Sequence, residues 1–192
     1  MGTVAAAAAV LAITSWSAPG QAGAARPCTP SPAGLIFGCG GPVVAPGDPV
    51  IADGACSVGL TGHIGAAEYA VTAGHCFHAG AQVKDATGKP IGWYEFGRPD
   101  LGHTDQFGFA LIHLYDNVFT SAGTPTYHLA AIDTKPTVGQ QICKEGRTTR
   151  KTCGHITEVS AEHIFADSLF DNPGDTGGVV YRAAAAGQVW LG

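Results

Sequence analysis

Two glycine-containing segments carry the side chains best suited to catalysis. In Tyr69–Cys76, an apolar run enters a small-residue turn that presents His75. An imidazole at the end of a strand can act as a general base. In Gly174–Gly178, the hydroxyl of Thr176 lies among glycines that permit unusual backbone angles. Backbone N–H groups around Thr176 can then converge on one point, which predicts an oxyanion hole beside a nucleophile.

Each segment also has a plainer interpretation. A histidine that follows a strand is usually structural or simply exposed. A Gly-rich segment around a hydroxyl is more often an ordinary hairpin turn. Neither His75 nor Thr176 therefore establishes a catalytic site alone, and the case depends on the rest of the chain.

The composition favours an all-β protein. Among 192 residues, 28 are Gly and 12 are Pro, and only 13% are charged. Many turns and few charged helices are typical of β-sandwiches and barrels. The formal net charge is −5 and Lys and Arg form no cluster, so nucleic acid and anionic membranes are poor candidates as partners.

Residues 1–24 predict a secretory signal peptide. The Ala-rich run from Val4 to Ile13 is too short to span a bilayer, and Ala22–Ala24 supplies the small residues of a cleavage site. Met1–Thr3 lacks the usual positive charge, which indicates either a start further upstream or an unusual signal. We expect residues 25–192 to form one secreted domain without a membrane span.

Six cysteines follow the predicted signal: Cys28, Cys39, Cys56, Cys76, Cys143 and Cys153. In an exported chain an even number predicts three disulfides, although the sequence leaves fifteen pairings open. A zinc site is the weaker interpretation, because the chain has no Cys-x-x-Cys pair.

Short apolar runs alternate with Gly-rich turns from Ala55 onward, which predicts strands. The predicted strands are Ala55–Leu60, Ala67–Thr72, Gln82–Asp85, Pro90–Phe96, Phe107–Leu114, Gln140–Lys144, His155–Val159, His163–Asp167, Val179–Arg182 and Gln188–Leu191. No amphipathic helix is predicted beyond a turn near Gly74–Phe77. Residues 26–50 predict an extended N-terminal arm with Cys28–Cys39 as its candidate staple.

Taken together, three segments resemble the chymotrypsin-like serine peptidases. Val71–Cys76 matches the catalytic-histidine motif of that family position by position. Gly174–Gly178 matches its Gly-Asp-Ser-Gly-Gly motif with one change, Thr176 in place of serine. Cys143–Gly154 resembles a disulfide-closed loop of the secreted bacterial members. The resemblance extends from about Ala55 to the C-terminus.

The resemblance implies a fold and a disulfide pattern. The fold is two packed antiparallel β-barrels of the six-stranded type, with His75 in the first and Thr176 in the second. The implied disulfides are Cys56–Cys76 and Cys143–Cys153, which leaves Cys28–Cys39 as the third.

The resemblance also implies a partner for the acidic residue of the second motif. In bacterial members a basic side chain of the second disulfide loop often holds the residue equivalent to Asp175. Lys144 is the best-placed candidate and Arg147 the next, against the alternative that either is an exposed charge.

The third member of the implied triad is an aspartate near the start of the Phe107–Leu114 strand. The usual register places Gly108 at that position. Asp105 restores the pattern with one extra residue, which a β-bulge can absorb. Asp116 lies at the far end of the strand and is a poor rival. The flanking His103 and His113 are expected on the surface.

The implied chemistry is peptide hydrolysis by a monomeric enzyme that acts on a polypeptide substrate. Thr176 attacks the scissile carbonyl, His75 takes and returns the proton, and Asp105 orients His75. The N–H groups of Gly174 and Thr176 bind the oxyanion. This mechanism needs no metal and no organic cofactor.

Three features argue against a simple assignment. The methyl group of Thr176 stiffens the side chain, and overpacking that costs about 1–3 kcal/mol would slow the reaction about 5- to 150-fold. The chain ends after what resembles the strand before the substrate-cleft wall, so we expect the C-terminal part of the second barrel to be truncated. No cysteine precedes Gly174 to brace the primary pocket, and Phe170 falls near the expected base of that pocket.

Three hypotheses follow from these residues. The first is a secreted endopeptidase with a His75–Asp105–Thr176 triad. The second is a catalytically inactive homologue that binds other proteins or the cell envelope. The third is an esterase-like acyl hydrolase that uses the same triad. Retention of His75 and of the whole Gly174–Gly178 segment favours an enzyme.

Overall fold

The computed structural model describes residues 41–98, 108–124, 127–160, 163–184 and 187–191. The predicted signal peptide, Cys28, Cys39, His103 and Asp105 lie outside the described residues. Within them the chain is nearly all β, which confirms the predicted class. None of the helical segments in these ranges is long and apolar enough to cross a bilayer.

The first large sheet has seven strands and is antiparallel throughout. Its strands are β2 (Pro49–Ile51), β3 (Ala55–Ser57), β4 (Leu60–Ile64), β5 (Ala67–Ala73), β6 (Gln82–Lys84), β7 (Pro90–Arg98) and β8 (Phe109–Leu114). Their order is β3-β2-β6-β7-β8-β5-β4. A short 3-10 helix, Gly74–Cys76, follows β5 at the predicted turn. A separate parallel pair joins β1 (Val43–Val44) to β9 (Phe119–Thr120).

The second large sheet also has seven strands. They are β10 (Gly123–Thr124), β11 (Tyr127–Ile132), β12 (Gln141–Gly146), β13 (Arg150–Val159), β14 (Ile164–Ala166), β15 (Val179–Ala184) and β16 (Gly187–Trp190). Their order is β10-β11-β16-β15-β12-β13-β14, and the β11–β16 pair is parallel. The expectation of antiparallel barrels therefore holds for most pairs but not for β11–β16 or β1–β9.

Alternation of side chains explains how the first sheet encloses its core. In β8 the buried residues are Ala110, Ile112 and Leu114, whereas the residues between them face outward. Since successive side chains of a strand point to opposite faces, one face of the sheet is continuously apolar. The buried side chains of Val83 and Tyr94 belong to the same cluster.

Two predicted boundaries differ from the structure near Gly59. Ala55–Leu60 was predicted as one strand, but it divides between β3 and β4. The N–H of Val58 donates to the carbonyl of Asp48, and that of Gly59 donates to the carbonyl of Val71. The chain therefore changes its pairing partner here, which a run of apolar residues cannot reveal.

The predicted N-terminal arm is not separate from the barrel where it is described. Pro49–Ile51 pairs with β3 and β6, and Val44, Ala45 and Val50 are buried. The frequent Pro and Gly residues of this stretch predicted an extended arm, but its few apolar residues are enough to add it to the core.

Candidate active site

His75 is presented by a tightly packed turn. β5 ends at Ala73, and the 3-10 turn Gly74–Cys76 leaves His75 exposed while Cys76 is buried. A disulfide joins Cys76 to Cys56, as predicted. A Cβ atom on Gly74 would meet the carbonyl oxygen of Arg98 at 2.3 Å and Cα of Gly108 at 2.7 Å. Only glycine fits at that point, so the turn is fixed on both sides.

Asp105 lies outside the described residues, but both ends of its segment are fixed beside His75. Arg98 and Gly108, which border residues 99–107, both contact Gly74. The N–H of Gly74 also donates to the carbonyl of Gly108 at 3.1 Å. The described residues on either side of residues 99–107 are therefore both fixed next to Gly74.

Two consecutive turns build the segment around Thr176. Asp175 N–H donates to the carbonyl of Asn172 at 3.0 Å, and Gly178 N–H donates to the carbonyl of Asp175 at 2.9 Å. The third residues of these turns are Gly174 and Gly177, with φ of 101° and 81°. A positive φ at the third position is the mark of a type II turn and favours glycine. Thr176 therefore lies at the tip of the second turn, where it is exposed.

The second turn packs directly against the strands that lead to His75. The N–H of Ser57 donates to the carbonyl of Thr176 at 2.8 Å. A Cβ atom on Gly177 would meet Oγ1 of Thr72 at 2.2 Å and N of Ala73 at 2.7 Å. Thr72 also donates from Oγ1 to the carbonyl of Ser57 at 2.7 Å. The tip of the Thr176 turn and the end of β5 are thus in contact, two residues before His75.

Asp175 anchors the turn from within. Its carboxylate is buried and accepts hydrogen bonds from Lys144 Nζ at 2.8 Å and from Thr149 Oγ1 at 2.6 Å. The N–H groups of Thr148 and Asn172 donate to it as well, at 2.7 and 3.1 Å. Burial opposes ionisation of Asp175, but these hydrogen bonds outweigh it and hold the pKa of Asp175 well below its usual range.

The Lys144–Asp175 ion pair confirms the preferred basic partner. Lys144 is on β12, and the predicted disulfide Cys143–Cys153 joins β12 to β13 at directly paired positions. Lys144 is also hydrogen-bonded to Thr149 Oγ1 at 2.6 Å. Arg147, the second candidate, instead donates its backbone N–H to Ser57 Oγ at 2.9 Å.

The hydroxyl of Thr176 and the N–H groups of Gly174 and Thr176 have no hydrogen-bond partner among the described residues. Within the described ranges the hydroxyl of Thr176 makes no hydrogen bond. No acceptor in those ranges takes the N–H of Gly174 or of Thr176. Two N–H donors without an acceptor in these ranges, beside a hydroxyl, are the groups that an oxyanion hole requires. The bond from Thr176 to a general base is not formed here, although such bonds often tighten only when substrate binds.

The residues beside His75 do not suit a metal ion. The side-chain donor atoms of Cys56, His75 and Cys76 all lie within 4.8 Å of one another. The two sulfurs are joined as a disulfide, whereas metal binding by cysteine requires the thiolate. His75 is therefore an imidazole beside a disulfide.

The comparisons with known proteins agree with this geometry. No family model matches the chain. Streptogrisin-D of Streptomyces griseus is 29% identical over 167 residues, which cover 76% of this chain and 40% of that protein. The chain thus spans about two-fifths of the length of this curated relative.

Solved structures decide the fold. A glutamic acid-specific serine protease superposes with a TM-score of 0.59 at 25% identity, over 78% of this chain and 83% of that one. A chymotrypsin of Cellulomonas bogoriensis gives 0.56 at 20% identity, over 76% and 88%. The chain has the chymotrypsin-like fold.

Several residues of this chymotrypsin-like site were not found from the sequence. Ser57 joins the first sheet to the Gly174 turn and also accepts a hydrogen bond from Thr72, and Thr148 and Thr149 enclose the carboxylate of Asp175. Ser57 follows a cysteine in a short strand and contacts Gly174, a residue 117 positions away. Only a knowledge of the packed sheets could identify it. Thr148 and Thr149 lie inside the Cys143–Gly154 loop, one of the segments that resemble the peptidases. Their position in that loop is the one feature of the sequence that could have indicated them.

Proposed function

We propose that this chain is an exported serine-type endopeptidase that hydrolyses peptide bonds through a variant triad of His75, Asp105 and Thr176. The observation that carries the proposal is the contact between the Thr176 turn and the end of β5. Ser57 binds the carbonyl of Thr176, and Gly177 packs on Thr72 and Ala73. The two side chains needed for acyl transfer thus belong to segments that touch.

The roles follow from chemistry of the side chains. Thr176 Oγ1 attacks the scissile carbonyl carbon while His75 takes the hydroxyl proton. The oxyanion that forms is stabilised by the N–H groups of Gly174 and Thr176. Collapse of this intermediate breaks the C–N bond, and the leaving amine takes the proton from His75. Water, deprotonated by His75, then hydrolyses the threonine ester.

Asp105 has the role of orienting His75 and stabilising its protonated form. What supports this role is the position of Arg98 and Gly108, the described residues that border its segment and lie against Gly74, the neighbour of His75.

Export is part of the proposal and has independent support. Two disulfides, Cys56–Cys76 and Cys143–Cys153, join described residues. Disulfides of this kind form and persist in oxidising compartments. Peptide substrates outside the cell, with a monomeric enzyme, fit this picture.

A second candidate function is a protein-binding homologue without activity. The observation that favours it is the hydroxyl of Thr176, which makes no hydrogen bond to the described residues. If the methyl group holds the side chain in an unproductive rotamer, Oγ1 stays out of line with the carbonyl. His75, Asp105 and Thr176 would then have no catalytic role.

The experiment that tests the proposal uses a fluorophosphonate probe on the folded, oxidised chain, read by intact mass. We expect a single adduct on Thr176 that is absent from His75→Ala and from Thr176→Ala. Thr176→Ser should react about 5- to 150-fold faster, because removing the methyl group frees the side-chain rotamer, and a barrier lowered by about 1–3 kcal/mol corresponds to this factor.

The other outcomes separate the two candidates. Labelling of Thr176→Ser alone would mean a complete site that the methyl group silences. Labelling of neither form, with both folded, would reject the endopeptidase and leave the binding homologue.

A further inference from the structure

Gly174 is flanked by two peptide groups whose carbonyls are each held by a hydroxyl. Thr148 donates from Oγ1 to the carbonyl of Pro173 at 2.9 Å. Ser57, which is fully buried, donates from Oγ to the carbonyl of Gly174 at 2.7 Å. These two hydroxyls come from different sheets and lie on either side of one residue.

The first of these hydrogen bonds sets the direction of a particular N–H group. Pro173 and Gly174 share one peptide unit, and no described peptide bond is cis. In a planar trans peptide the C=O and N–H point in opposite directions. By holding the carbonyl of Pro173, Thr148 therefore fixes the N–H of Gly174 on the side away from itself.

Such a restraint is needed because Gly174 is a glycine with a positive φ of 101°. Glycine has no side chain and can adopt left- and right-handed backbone angles at little cost, so the residue itself does not hold the peptide in place. A flip of the Pro173–Gly174 peptide would reverse the N–H. The hydrogen bond from Thr148 opposes that flip, and the bond from Ser57 holds the next peptide in the chain.

The two hydroxyls also form one unit. Ser57 Oγ accepts the N–H of Arg147 at 2.9 Å, so it is bound to the residue next to Thr148. A Cβ atom on Gly174 would lie 2.8 Å from Thr148 Oγ1 and 3.1 Å from Cδ of Arg147. The turn between β12 and β13 thus packs closely over Gly174 and is hydrogen-bonded to Ser57.

We propose that Thr148 and Ser57 are positioning residues that aim the Gly174 N–H at the oxyanion. This inference rests on the proposed function, since it assigns Gly174 as an oxyanion donor. The anchor at Asp175 does not supply the same restraint, because Asp175 lies beyond the Pro173–Gly174 peptide. Thr148 also donates its N–H to Asp175, and that contact survives any change of its side chain.

The test compares Thr148→Val with Thr148→Ser. Valine keeps the shape of threonine and loses the hydroxyl, whereas serine keeps the hydroxyl. The matched control is Thr152→Val, since Thr152 donates a comparable hydrogen bond to the carbonyl of Phe170 at 3.1 Å. Ser57→Ala is the second positioning variant.

With a chromogenic peptide substrate, we expect Thr148→Val to lower kcat about tenfold with KM unchanged. Complete loss of an oxyanion donor costs about 100- to 1,000-fold, and a loosened donor should cost less. Thr148→Ser and Thr152→Val should match the wild type. Equal kcat in Thr148→Val and wild type, or an effect confined to KM, would overturn the inference.

A second readout does not depend on turnover. We expect the {1H}-15N heteronuclear NOE of the Gly174 amide to fall in Thr148→Val and Ser57→Ala, and to stay high in Thr148→Ser and Thr152→Val. An unchanged NOE in Thr148→Val rejects the restraint. A silent wild-type enzyme with a fallen NOE in Thr148→Val would reject the proposed function and leave the restraint on Gly174 standing.

Discussion

The two large sheets hold their parts of the candidate site by different means. The first sheet encloses one continuous apolar cluster that includes Cys56 and Cys76, the disulfide beside His75. The second sheet has two small clusters, one around Val179 and Tyr181 and one around Ile142 and Ile156. His75 therefore lies on an apolar scaffold, whereas the Thr176 turn is fixed by a buried charge.

This difference shows which interactions each half depends on. Apolar packing tolerates many substitutions, because many side chains contribute to it and volume-conserving changes cost little. A buried carboxylate is intolerant, since removal of one partner leaves a charge without compensation. We therefore expect the Thr176 turn to be the more fragile half of the site.

The largest effect should come from Lys144→Met. The side chain of Lys144 is 11% exposed and that of Asp175 is 2% exposed. Breaking such a buried pair should lower the free energy of unfolding by about 3–5 kcal/mol. Urea unfolding measures this change.

Lys151→Met is the control for Lys144→Met, because Lys151 is an exposed lysine on the neighbouring strand. It should change stability by no more than about 0.5 kcal/mol. A loss below about 1 kcal/mol in Lys144→Met would mean that the backbone donors alone hold Asp175, and the contrast between the two sheets would fail.

The next effect should come from the contact that joins the sheets. In Gly177→Ala the new methyl group would meet Thr72 Oγ1, and φ is 81°. We expect a loss of about 2–4 kcal/mol from overpacking and from the left-handed backbone. Gly65→Ala is the matched control, because φ is 63° but no atom lies within 4 Å of the new Cβ.

Gly65→Ala should cost only about 1–2 kcal/mol, the backbone part of the penalty. Thermal unfolding of both variants separates the cost of the left-handed backbone from the cost of the clash with Thr72. Fluorophosphonate labelling reports whether the Thr176 site still reacts. Equal losses in the two variants would show that Gly177 matters for its backbone angle and not for its packing on β5.

How much the sequence could predict differs between these two halves as well. The turn before His75 and the Gly174–Gly178 segment were predicted from the residues, whereas the resemblance to a peptidase family implied the disulfides Cys56–Cys76 and Cys143–Cys153 and the Lys144–Asp175 pair. Both segments are short, and their residue types and order carry information. A motif of this kind keeps its chemistry within a few positions, so one sequence is enough to find it.

The contacts that assemble the site could not be predicted in this way. Ser57 is an ordinary polar residue of a strand, and its bond to the carbonyl of Gly174 forms only when the Thr176 turn packs against the first sheet. The buried position of Asp48 was not predicted either, because the Pro- and Gly-rich stretch that contains it is typical of an extended arm. The short strands β9 and β10 contain two residues each, too few for an alternating pattern to be visible.

The smallest expected effect concerns two carboxylates, the partly buried Asp48 and the buried Asp175, whose pKa values are shifted in opposite directions. In the first half, burial raises the pKa of Asp48, against the hydrogen bond from the N–H of Ala45. A raised pKa means that ionised Asp48 disfavours the folded state at neutral pH, and that this penalty is relieved as the pH falls through the raised value. Asp175 has a lowered pKa, so its stabilisation is complete above the unfolded value of about 3.9 and is lost below it.

We therefore expect Asp48→Asn to raise the free energy of unfolding slightly at pH 7, because the amide oxygen can still accept the N–H of Ala45 and carries no charge. The gain should shrink as the pH falls toward about 3.9, the ordinary pKa of aspartate, because Asp48 with its raised pKa takes up a proton before an unperturbed aspartate does. Urea unfolding of Asp48→Asn and wild type at the two pH values measures it, and the ion pair of Asp175 contributes equally to both proteins. A loss of stability in Asp48→Asn that is the same at both pH values would mean that the carboxylate of Asp48 is held by its hydrogen bond more strongly than burial opposes it, and the first half would then depend on a buried charge as the second half does.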